Sequence, residues 1–181
     1  MSASSRLKLR PVKLFLLVCP LLFLLVSSSH AANSLFLGSA EAKAGGSDTL
    51  DVFLTTEKAF PAAEISLKFD PSKLSFREGS LTVNPQVWKP EWGRPIVSVY
   101  PNGIKIAFLS MSNLEAAIPK GERQKLFSVV LTAKAGIPAG EKLELEVKGM
   151  LTDAQFNEIG LESSQGSFTV IGKKKPEKKE K

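Results

Sequence analysis

From Ser34 to Val170 apolar and polar residues alternate in short runs broken by glycine, proline, asparagine and aspartate. A period of two marks a strand with one face buried and the other wet, and no stretch carries the 3.6-residue period of a long helix. The clearest run is Phe60 to Phe76, FPAAEISLKFDPSKLSF. Ala63, Ile65, Leu67 and Phe69 alternate with Glu64, Ser66 and Lys68, Asp70-Pro71 stops the strand, and Leu74 and Phe76 resume the alternation. Proline has no amide hydrogen for a ladder, and the Asp70 carboxylate can bond forward into the turn.

Other segments read the same way. Leu35 and Leu37 begin a first strand, and Ala44 to Asp48 form a loop. Leu50, Val52 and Leu54 then face away from Asp51, Phe53 and Thr55. Ile96 to Tyr100, the turn Pro101-Asn102-Gly103 and Ile104 to Leu109 predict a hairpin, with Asn-Gly supplying the positive φ of a tight turn. Ile104, Ile106 and Phe108 point inward, and Lys105, Ala107 and Leu109 outward. Lys125 to Ala133 is apolar on both faces, as a central strand is, and Leu143, Leu145 and Val147 alternate with charged residues. Gly166 to Val170 is the last strand. About nine short strands joined by Gly, Pro and Asn turns predict an all-β fold, an antiparallel two-sheet sandwich of jelly-roll topology.

Three segments depart from the pattern. Residues 80–95, SLTVNPQVWKPEWGRP, hold both tryptophans in a long irregular stretch. Trp88 and Trp92, with Tyr100, could form an aromatic platform for sugar rings, or the tryptophans could fold back as a lid over an open edge of the sandwich; the lid is the better expectation. Ser112 to Glu115 has capping-box spacing and suits either one helical turn or a plain loop. Thr152 to Ser164 is a polar loop with Asp153, Asn157 and Glu158, whose spacing does not match an EF-hand; no metal site and no cofactor is expected.

Composition divides the chain in three. Arg6, Lys8, Arg10 and Lys13 precede the apolar run Leu14 to Val26, and Ser27-Ser28-Ser29-His30-Ala31 follows it, the plan of a secretory signal peptide over residues 1–31. The run holds 13 residues including Pro20, short of the roughly 20 that cross a bilayer, so cleavage rather than a lasting membrane span is expected. The only cysteine, Cys19, and the only histidine, His30, leave with it, which removes thiolate and imidazole chemistry and any internal disulfide. The net charge of +6 sits at the ends: the leader carries four basic residues, the tail 173–181 has six lysines against two glutamates, and residues 32–172 come to −2. A folded body without a basic face does not predict nucleic-acid binding. The tail reads as disordered, suited to solubility or to anionic envelope polymers and lipid headgroups.

The strand closed by Phe-Asp-Pro and followed by Leu-x-Phe resembles the cohesin domains, receptors for dockerins in bacterial cellulosomes. The strand, Gly-Asp loop and alternating strand before it, the Asn-Gly-Ile-x-Ile-x-Phe strand at 102–108 and the closing strand at 166–170 resemble them too. The resemblance covers residues 32–172. It implies an exported, non-catalytic binding module that presents one flat sheet face to a dockerin-like or other exported protein. Type I members commonly carry Asn and Asp two residues apart on the strand before Asp-Pro; Ala62 and Glu64 stand at those positions. Glu64, Ser66, Lys68, Lys105 and Leu109 are the candidate partner-binding residues. Two alternatives remain open: direct polysaccharide binding through Trp88, Trp92 and Tyr100, and a structural adaptor of an envelope or secretion apparatus, which a single copy without linker-joined repeats would suit. No carboxylate spacing indicates a hydrolase.

Overall fold

The computed structural model describes residues 33–110 and 116–172, so the capping-box segment, the leader and the lysine-rich tail lie outside the described residues. Among the described residues twelve strands form two sheets. One sheet holds β1 (Ser34–Leu37), β3 (Ser47–Thr56), β9 (Gly121–Ala133) and β5 (Leu74–Phe76) in that order, with β6 (Thr82–Val83) also on β9. The other runs β2 (Ala40–Ala42), β12 (Ser164–Val170), β10 (Lys142–Thr152), β4 (Ala62–Phe69), β8 (Gly103–Leu109), β7 (Ile96–Tyr100), with β11 (Glu158–Gly160) on β10. The sandwich and the all-β class are as the alternation predicts.

The strand count of about nine is corrected to twelve. The additional strands β2, β6 and β11 span two or three residues each, too short for a period of two to show. The sheets are antiparallel except for one pair, since β2 runs parallel to β12 with Ala40 opposite Phe168.

Alternation places the core. Leu50, Val52 and Leu54 of β3, Ile65 and Leu67 of β4, Ile104, Ile106 and Phe108 of β8 and Leu145 and Val147 of β10 are all buried between the sheets, with Phe60, Phe127 and Phe168 among the largest side chains. The Lys125–Ala133 run is apolar on both faces for a specific reason. Between Val52 opposite Phe127 and Phe53 opposite Lys125 the register skips Leu126, a bulge that puts Leu126 and Phe127 both inside. Ser128, also buried, donates its hydroxyl to Oδ1 of Asp51 at 2.6 Å.

Two turns fix where β4 and β8 lie. Asp70 ends β4 as expected: its Oδ1 accepts the amide of Ser72 at 2.8 Å and its hydroxyl at 2.6 Å, and these bonds, the hydroxyl's first, hold the carboxyl below its ordinary pKa. The Asn-Gly turn works differently from the expectation. Neither Pro101 nor Asn102 has a positive φ; Asn102 instead accepts the Phe69 amide through its carbonyl at 3.1 Å. Glycine is needed at 103 because a Cβ there would sit 2.2 Å from the carbonyl oxygen of Leu67. The turn thus lets β8 close against the end of β4.

Candidate partner-binding face

Strand register defines the outer face of the larger sheet row by row. Ile96 lies opposite Ala107, Ala107 opposite Glu64, and Glu64 opposite Met150. The next row is Ser98, Lys105, Ser66 and Lys148, and the third is Tyr100, Gly103, Lys68 and Glu146. Leu109, Ala62 and Thr152 make a fourth. The inward neighbours Ile65, Leu67, Ile104 and Ile106 are buried, so every side chain in these rows belongs to the opposite, open side.

All five residues read from the sequence fall on this one face: Glu64, Ser66 and Lys68 along β4, Lys105 and Leu109 on β8. The face carries three exposed large apolar side chains, Ile96 at 61%, Tyr100 at 48% and Leu109 at 46%. Between them the charges are paired. Lys105 Nζ is 2.9 Å from Glu64 Oε1, and this bond together with the attraction of the carboxylate raises the lysine pKa. Glu146 accepts Lys148 at 2.7 Å and has Lys68 at 3.8 Å; the Lys148 bond is the main reason its carboxyl lies below the ordinary range. The result is a strip of apolar side chains and ion pairs, suited to a flat macromolecular surface.

Ile96, Ala107 and Met150 of this face were not singled out from the sequence. Ala107 and Met150 carry no signal of their own. Ile96-Val97-Ser98-Val99-Tyr100, expected as one arm of the hairpin, is the terminal strand of its sheet, and its side chains are exposed on both faces.

The aromatic platform does not form. Trp88 is 2% exposed, donates its indole N–H to the Gly93 carbonyl at 2.8 Å and stands edge-on to Phe108 at 5.6 Å between ring centres. Trp92, on the 3-10 turn Pro90–Trp92, packs edge-on against Trp88 at 5.4 Å with Lys89 over its ring. Tyr100 lies on another strand. The tryptophans are therefore a lid at the open edge of the sandwich, beside a cleft of about 890 Å³ walled by Phe76, Leu81, Val83 and Val99.

The polar loop after β10 is built around Asp153. Its buried carboxylate accepts the amides of Gln155 and Asn157 at 2.9 Å each and the Asn157 side-chain amide at 3.2 Å. The Asn157 amide is the largest influence lowering its pKa, with burial opposing, and Lys58 stands 3.7 Å away. These bonds use the carboxylate to shape the turn, at whose tip Phe156 is 87% exposed with φ of 63°. No group of three or more candidate metal ligands occurs among the described residues.

A family model for the cohesin domain matches residues 34–170, and the chain belongs to that family. Similar solved structures include the sixth cohesin of scaffoldin B from Acetivibrio cellulolyticus, in complex with a mutant dockerin. It is 16% identical with a TM-score of 0.65, the match covering 77% of this chain and 99% of that one. The third cohesin of ScaC from the same organism, also with a mutant dockerin, gives 14% identity and a TM-score of 0.66 over 77% and 99%. The cohesin CaCohA2 of Clostridium acetobutylicum gives 19% and 0.63 over 78% and 92%. No curated protein matches the chain.

Proposed function

We propose that the chain is an exported, non-catalytic receptor that holds a dockerin-type protein against the outer face of β7, β8, β4 and β10. The observation that carries this reading is the face itself, with Ile96, Tyr100 and Leu109 exposed around the Glu64–Lys105 pair. Apolar groups gain by leaving water, and a carboxylate already bonded to its lysine keeps its partner when a second surface covers it. Membership of the cohesin family and the dockerins bound to its structural neighbours supply the partner class. Ala62 at the position of the type I asparagine makes the face more apolar, which favours a partner presenting an apolar helix surface at that point. The leader sequence supports export with cleavage after Ala31, and the family supports a place in polysaccharide degradation or envelope assembly outside the cytoplasm. Among the described residues no helix is long and apolar enough to cross a membrane.

The test is retention on the immobilised chain, first with calcium and then with chelator, using a purified dockerin and the exported proteins of the host. Calcium-dependent retention that is lost in Glu64→Arg and Leu109→Arg is the expected result. Retention that neither chelator nor these substitutions disturb would defeat the proposal.

A further inference from the structure

The sheet that carries the partner face ends on β7, and this edge is unlike the other edges of the sandwich. β2, at the opposite end of the same sheet, is three residues long and carries Glu41. β5 and β6 are three and two residues, and the edge strand β1 is tied to Glu162 through a bridge at Ser34 and the Leu35 amide. β7 has five residues, pairs only with β8 among the described residues, and contains no charge and no proline. Exposed edges are ordinarily blunted by charge, proline or shortness, because their free amides and carbonyls accept another strand.

We infer that β7 pairs antiparallel with β7 of a second copy of this chain, about a two-fold axis through Ser98. The sequence of the edge is self-complementary in that register alone. Ser98 meets Ser98 of the other copy, Val97 meets Val99, and Ile96 meets Tyr100, so each apolar side chain finds an apolar one and no charges meet. Pro95 falls opposite Pro101 at both ends, and since proline has no amide to donate, the pairing stops where β7 stops. An aromatic residue opposite a β-branched one is a favourable cross-strand pair.

Pairing also covers surface that β7 leaves wet. Val97 and Val99, on the inner side, are 37% and 53% exposed and line the cleft beside Trp88. The four valines of the pair lie side by side over that side of the two clefts. Pairing covers only this narrow edge, far less than the about 800 Å² per partner of a standard interface. The dimer is accordingly weak and reversible. Because an antiparallel extension of a sheet keeps its two sides distinct, both partner faces open on the same side of the assembly. A chain with one receptor face thereby becomes bivalent, and two linked partners are held more tightly than one.

The register is tested by cysteine pairing in the full chain carrying Cys19→Ser, where an introduced thiol is the only one. Opposed Cα atoms across a strand pair lie within the range a disulfide spans. Ser98→Cys is expected to form a covalent dimer on mild oxidation. Ile96→Cys and Tyr100→Cys are expected to stay monomeric separately and to cross-link when mixed. Sedimentation of the unsubstituted chain should shift from monomer toward dimer as its concentration approaches about 1 mM, and Val99→Lys should weaken that association at least tenfold. Thermal unfolding of each variant, all altered at exposed or half-exposed positions, checks that the fold is kept. A monomer throughout the concentration series overturns the inference, and so does Ile96→Cys cross-linking to itself as readily as Ser98→Cys.

Discussion

Lys105 and Glu64 meet diagonally across β8 and β4, 2.9 Å apart, although the strand register places Ser66 opposite Lys105 and Ala107 opposite Glu64. The pair lies in the open, so water screens it and it does little for the fold. Its importance is positional, since it fixes two long side chains among Ile96, Ala107 and Leu109. Glu64→Gln should leave the thermal midpoint nearly unchanged while weakening partner retention about tenfold, the usual scale for a charged hydrogen bond lost at an interface. Calorimetric titration beside a thermal melt separates the two effects.

Trp88 gives the opposite pattern. Its ring is buried against Phe108 and Trp92, and its indole N–H is satisfied by Gly93. Trp88→Ala should lower unfolding free energy by about 3–5 kcal/mol, as truncating a buried aromatic does. Soluble polysaccharide should bind neither parent nor variant; retention by the parent on a cellulose column would contradict the lid.

Gly103→Ala places a methyl group against the Leu67 carbonyl, where only 2.2 Å is available. The end of β8 must then move away from β4. Denaturant unfolding should show a loss of about 1–3 kcal/mol, the range for overpacking a tight site. Partner affinity should fall as well, because Lys105 and Lys68 lie beside the displaced backbone.

Asp153 sets a pH dependence. Hydrogen bonds from Asn157 and Gln155 hold its carboxyl below its value in the unfolded chain, so the folded protein binds its proton less readily. The stabilisation is present above the ordinary aspartate range and is lost as pH falls through the lower folded value. Asp153→Asn should therefore unfold at a lower temperature than the parent at pH 7, with the gap narrowing as the buffer is taken below pH 4, about the unperturbed aspartate value. A gap that stays constant across that series would refute the assignment.

Much of the outer face of β4 and β8 was legible because both are amphipathic strands. In such strands the outward set, Glu64, Ser66, Lys68, Lys105 and Leu109, follows from the inward one. The stop at Asp70 was legible because its side chain acts within two residues. What escaped depended on pairing between distant segments. The bulge at Leu126 imitates a strand buried on both sides, and the hairpin pattern of β7 does not say that it ends its sheet. Periodicity reports what a side chain avoids, and β7 shows that an apolar pattern does not say whether this chain or another covers it. Trp88 and Trp92 were ambiguous for a related reason: an aromatic side chain serves a core and a binding surface equally well, and only the contact with Phe108 separates the two.

The pairing of charges across β4, β8 and β10 has a kinetic consequence. Lys105 is matched by Glu64, and Lys68 and Lys148 share Glu146, so three cations face two carboxylates and the face projects the field of only one net charge into solvent. A partner is then not drawn in from a distance. Encounters should proceed at the unsteered rate of about 10⁵–10⁶ M⁻¹s⁻¹ and respond weakly to ionic strength, leaving the lifetime of the complex to the apolar contacts at Ile96, Tyr100 and Leu109.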